Sequence, residues 1–148
     1  MNKDEIIYSL NEIIRNEIIA LDELLKHMEE QHVYIVKNDI FNMESIVEKI
    51  KLCNKTVAAL ELKRRTITKD FTEVKSLSQF LEELNNEELS INFKKIKSLL
   101  EELRIQKDTN EILIKQGLGF VNNMLILLNP DRQAKTYNGY GKIGRWGV

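Results

Sequence analysis

The chain has 148 residues, 43% of them hydrophobic and 30% charged, with a formal net charge of −1; that is apolar material for one domain and no overall field to recruit nucleic acid or a membrane surface. Cys53 is the sole cysteine, which excludes an intramolecular disulfide and a multi-cysteine zinc site. One proline and six glycines, with Gly139, Gly141, Gly144 and Gly147 gathered near the end, leave few breakers in the body, so the fold class read from the sequence is all-α.

The start, Met1 to Glu5, passes directly into an amphipathic pattern with no apolar signal core, so a cytoplasmic location is expected. A first helix is predicted to begin near Asn2 or Asp4, where acidic residues favour the positive end of the helix dipole. Ile7, Ile14, Leu21, Met28 and Ile35 recur every seven residues with Leu10 and Leu24 between them, while Glu17 and Gln31 fill the remaining seam positions. Ile6, Ile13, Ile18 and Leu25 widen this seam into a bundle face.

Asn38-Asp39 is the expected break, because both residues favour turns and N-caps. A second stripe follows through Met43, Val47, Ile50, Cys53, Val57, Leu60, Arg64, Ile67 and Phe71. If the chain folds back at Asn38, Arg64 falls opposite Glu12 with Glu17 a turn away, and a carboxylate partner is predicted for it. Cys53 lies on the stripe and reads as a small buried hydrophobe, not a nucleophile. Thr72 to Ser76 is weak in helix propensity and reads as a joint, after which Ser76 or Ser78 caps a short helix through about Leu84, ended by Asn85-Asn86.

A long helix is then predicted from Glu87 to Asn129, where Pro130 stops it. Its seam runs Leu89, Phe93, Ile96, Leu100, Leu103, Lys107, Asn110, Ile114, Gly117, Val121, Met124 and Leu128. The polar pair Lys107 and Asn110 has two readings: it fixes register, or it marks where the helix stops serving its own bundle. Beyond Asn110 the apolar residues spread around the helix, adding Ile112, Leu113, Leu118, Phe120, Leu125, Ile126 and Leu127. This end is either buried in a three-helix core or receives a partner; Lys115, Gln116, Asn122 and Asn123 interrupt it, which argues against membrane insertion. After Pro130, Arg132, Lys135, Lys142 and Arg145 stand against Asp131 alone, interspersed with Tyr137, Tyr140 and Trp146. That tail is either an inert appendage or a short docking motif; its alternating aromatic and basic residues would also suit stacking on single-stranded nucleic acid, but the body lacks a basic groove to support it.

The resulting expectation is an elongated antiparallel helical bundle, or coiled coil, of three long helices and one short one over residues 1–130, with a flexible glycine-rich tail over 131–148. No reactive constellation emerges. Glu29 and His32 have a Glu-x-x-His spacing, but a di-iron bundle needs a second such pair, and His27 is the only other histidine. No enzyme, metal site or cofactor is expected, and no nucleic-acid partner.

Three stretches together resemble the FlgN-type flagellar export chaperones. They are the break Val36-Lys37-Asn38-Asp39 followed by Ala59-Leu60-Glu61-Leu62-Lys63-Arg64-Arg65, the run Asn110-Glu111-Ile112-Leu113-Ile114, and Leu127-Leu128 followed by Thr136-Tyr137-Asn138-Gly139. The resemblance implies a cytoplasmic type III export chaperone that binds terminal helical segments of the hook-filament junction proteins, prevents their premature assembly and delivers them to the export gate. It implies that Ile112, Leu113, Phe120, Val121, Met124 and Leu127 hold the client, and that Tyr137 or Tyr140 docks at the cytoplasmic domain of the gate. The competing reading is a generic coiled-coil adaptor or self-assembling structural protein, in which the wide apolar end makes a homodimer.

Overall fold

The helix boundaries follow from side chains that satisfy the orphan amides and carbonyls of each helix end. In a computed structural model, which describes residues 2–128, four helices occur in the order α1 (Lys3–Lys37), α2 (Ile40–Thr68), α3 (Leu77–Leu84) and α4 (Glu87–Leu128), with no strand among the described residues. Asn2 caps α1 by accepting from the Glu5 amide. Asn38 closes α1 in the left-handed region, φ 59°, and donates its amide back to the Ile35 carbonyl. The next residue, Asp39, caps α2 by accepting from the Asn42 amide. Two residues therefore end one long helix and start another, at the predicted break.

The second break repeats this logic. Ser76 and Gln79 form a reciprocal capping box at the start of α3, Asn85 ends the helix at φ 50°, and the Asn86 side chain accepts from the Leu89 amide at the start of α4. The joint before α3 is longer than expected, because α2 stops at Thr68 and not at Phe71. Phe71 instead stacks on Phe80 of α3, centroids 4.8 Å apart, which pins the connector to the short helix.

The chain divides into two compact units, Met1–Asn110 and Glu111–Val148. In the first, α2 runs antiparallel to α1, as the contacts Ala20 to Cys53 and Glu17 to Arg64 require. The first part of α4 runs parallel to α1, with Arg15 bonded to Glu88 near one end and Met28 to Asn110 near the other. The core gathers Ile6, Leu10, Ile14, Leu21 and Leu24 from α1, Cys53 from α2, Phe80, Leu81 and Leu84 from α3, and Leu89, Ile96, Leu99 and Leu103 from α4. Buried Asn11 of α1 donates to the Asn86 side chain, so the cap of α4 is also a tie to α1.

Three details of the predicted seams differ. On α4 the inward residue is Leu99, while Leu100 is half exposed. The spacing 96, 99, 103 and 96, 100, 103 both suit a helix, and the choice rests on the angle at which α4 meets α1. Arg64 does find a carboxylate, but it is Glu17, at 3.0 Å, and not Glu12. Glu17 sits on the inward row with Ile14, Leu21 and Leu24, whereas Glu12 is exposed beside an open cleft with Lys63 and Thr66. Lys107 and Asn110, finally, do not act as a pair. Asn110 is buried and Lys107 points outward, where its ammonium lies 4.0 Å from Asp108.

Candidate functional site

Beyond Asn110, a helix made of residues 111–128 carries large apolar side chains whose burial was left open by the sequence pattern. Ile112 is 56% exposed, Phe120 66%, Leu127 74% and Leu128 76%. Leu118, Val121 and Met124 are also exposed, and Leu113, Leu125 and Ile126 are half-buried. An isolated exposed leucine is ordinary; a run of this length on one helix is characteristic of a surface that another molecule covers. Every one of Ile112, Leu113, Phe120, Val121, Met124 and Leu127 thus lies on this segment, Leu113 least accessible. Tyr137 and Tyr140, and with them the boundary expected near residue 130, lie outside the described residues.

Gly117 and Gly119 sit inside the same segment. A methyl added at either would meet nothing within 4 Å, so packing within the described chain does not require a glycine there. Each weakens the helix by about 1 kcal/mol relative to alanine. Gly117, three residues from both Ile114 and Phe120, lowers the relief of the surface between them, whereas Gly119 falls on nearly the opposite side of the helix.

The site begins where a polar network ends the internal core. Asn110 Nδ2 donates to the Met28 carbonyl at 2.9 Å and to Gln31 Oε1 at 3.0 Å, while Asn110 Oδ1 accepts from Gln106 Nε2 at 2.9 Å. Gln106 Nε2 also lies 3.1 Å from His32 Nδ1. Gln31, which interrupts the apolar seam of α1, and Gln106 are the partners that make a buried asparagine tolerable.

By length and composition α4 could cross a membrane: an 18-residue window in it has mean hydropathy 1.3 with none of the window buried. The stretch 111–128 nevertheless carries Asn122 and Asn123 near its middle and Lys115 in its first half. Polar groups at that depth require partners inside the bilayer.

Nucleophilic and metal chemistry has one candidate among the described residues, the cluster Glu23, His27 and Cys53, whose donor atoms lie within 4.8 Å of one another. The Cys53 thiol is buried, donates weakly to the Ala20 carbonyl and is pushed up from its ordinary pKa by burial and then by the Glu23 charge. It is therefore a poor free nucleophile. Neither histidine stands free in solvent: His27 is mostly buried between Glu23 and Glu30, and His32 contacts Gln106.

No curated protein and no solved structure gives a significant match to the chain. The family described as FlgN protein matches residues 1–145, almost the full length, and the chain therefore belongs to the FlgN family of flagellar type III export chaperones.

Proposed function

We propose that this chaperone binds the terminal helical segments of hook-filament junction proteins in the cytoplasm, laying their apolar stripes along Ile112, Leu113, Phe120, Val121, Met124 and Leu127, and so prevents their premature assembly. The observation that supports this reading is the run of exposed apolar side chains from Ile112 to Leu128. A client segment that is unstructured alone and helical when packed offers the matching surface, an amphipathic helix with anchors at i, i+3, i+4 and i+7. Burying a leucine-sized side chain contributes about 1.5 to 3 kcal/mol. Several such anchors outweigh the roughly 2 to 5 kcal/mol that ordering a disordered partner costs. No bond is made or broken, so the role calls for no catalytic group.

The tail supplies the second half of the cycle: Tyr137 or Tyr140, set among basic residues, docks at the cytoplasmic domain of the export gate and brings the client with it.

Phe120→Ala combined with Met124→Ala tests the binding surface. Co-purification and calorimetry with a junction-protein terminal peptide should show affinity reduced at least tenfold while far-ultraviolet circular dichroism is unchanged. Undiminished binding with full helicity removes this segment from the client site. A second reading, self-association of the same apolar segment, is favoured by the same exposure. Sedimentation distinguishes the two: a dimer whose mass is insensitive to client peptide supports the adaptor, whereas a complex that forms at the expense of self-association supports the chaperone.

A further inference from the structure

The packing of α1 against α2 leaves a cleft of about 350 Å³ that client binding through α4 does not use, lined by Ala20, Glu23, His27, Lys49 and Cys53 among others. Glu23 and His27 are four residues apart on α1 and so project from one face, and Cys53 reaches the same point from α2. A carboxylate oxygen, an imidazole nitrogen and the Cys53 sulfur all lie within 4.8 Å of one another.

Two separations around His27, one on each side of its ring, are more informative than proximity alone. Glu23 Oε1 is 3.5 Å from His27 Nε2, too long for a good hydrogen bond. With metal–donor distances of about 2.0 to 2.1 Å, however, the edge of a coordination tetrahedron is about 3.3 Å, close to what is seen. On the other side of the ring, His27 Nδ1 is buried with no hydrogen-bond partner and lies 3.6 Å from Glu30 Oε1. A small ring rotation toward Glu30 would give the carboxylate–histidine arrangement that holds a metal-bound imidazole in orientation.

We propose that Glu23, His27 and Cys53 form a site for a borderline-soft divalent cation, Zn²⁺ by its chemistry, which fastens α1 to α2. One thiolate, one imidazole and one carboxylate form a donor set suited to zinc and unsuited to magnesium or calcium. On binding, the Cys53 thiol releases its proton to solvent, and thiolate and carboxylate together balance the charge of the cation. Water fills the fourth position. Lys49 also lines the cleft, but the residue is exposed, and a lysine stem is long and flexible enough to turn its ammonium to water when a cation binds. Glu30 is a positioning residue that acts through His27.

Titration of the full-length protein with Co²⁺ as a spectroscopic probe tests the site. Because the chain has a single cysteine, a thiolate-to-cobalt charge-transfer band reports on Cys53 alone. The expected result is one Co²⁺ per chain with that band, displacement by Zn²⁺, and a higher melting temperature with either metal. Cys53→Ser should abolish the band, Glu23→Gln and His27→Ala should each weaken binding by about 100-fold, and Glu30→Gln by about 10-fold. His32→Ala should leave binding unchanged. A folded wild-type protein that takes up Co²⁺ without the band, or takes up none, overturns the site. So does binding that survives Cys53→Ser and His27→Ala, or that depends on His32. Neither result bears on client binding, which uses residues of α4.

Discussion

At the scale of single residues, the Glu17–Arg64 contact is where charge and burial compete. Glu17 is 5% exposed, and burial raises its carboxyl pKa above the ordinary range even though the Arg64 guanidinium, 3.0 Å away, pulls the other way. The pair is thus an ionised group made tolerable by its neighbour, not a net source of stability. Arg64→Ala leaves burial unopposed and should destabilise the chain by about 3 kcal/mol at neutral pH. The sign of the pH dependence follows from the raised folded-state value. Below the ordinary glutamate range Glu17 is protonated both folded and unfolded, so the penalty is absent; it grows as pH rises and is complete above the folded-state pKa. Urea unfolding across that range should therefore show the variant's deficit shrinking on acidification. A deficit equal in acid and at neutral pH would mean that lost packing of the arginine stem, and not the stranded carboxylate, is responsible.

Along α4, the instructive position is Asn110, which separates the part of the helix that contributes to the internal core from the part with exposed apolar side chains. Its three hydrogen bonds are each worth about 1 kcal/mol net. A leucine there would contribute a comparable amount by burial, and Gln31 and Gln106 are only half-buried, so both can turn to water. The difference is in specificity: a polar residue inside an apolar seam selects one register. Asn110→Leu should shift the folding free energy by about 1 kcal/mol or less while removing the buried polar residue between Leu103 and Ile114, and sedimentation should reveal concentration-dependent oligomers. A variant that instead loses more than about 3 kcal/mol and stays monomeric would make Asn110 a structural tie and not a register device.

At the scale of the whole chain, the proposed function assigns client capture and gate docking to separate segments: removing residues 131–148 should leave capture of a junction-protein peptide unchanged in calorimetry and block its co-sedimentation with the gate's cytoplasmic domain. Loss of peptide binding on truncation would place the client site in the tail. What could be read in advance was mostly local. Asn38-Asp39 and Ser76 to Leu84 announce their breaks because capping chemistry acts within four residues, and Cys53 is buried as its stripe position implies. The choice of Leu99 over Leu100, the selection of Glu17 by Arg64 and the meeting of Glu23, His27 and Cys53 depend instead on the rotation of one helix about another, which no spacing within a single helix encodes. The exposed segment after Asn110 was visible as an excess of apolar residues, but whether that excess lay inside or outside the protein was not.

The two asparagines that end α1 and α3 in the left-handed conformation set a limit on how this chain can change. At each, the neighbouring side chain already caps the next helix, so no spare backbone separates one helix from its successor. A single inserted residue drawn into the following helix would turn that helix by about 100° and point its apolar row away from the core. Length variation should thus accumulate in the connector between α2 and α3, or past the end of α4, and the two asparagine corners should be conserved in spacing even where the helices around them have diverged.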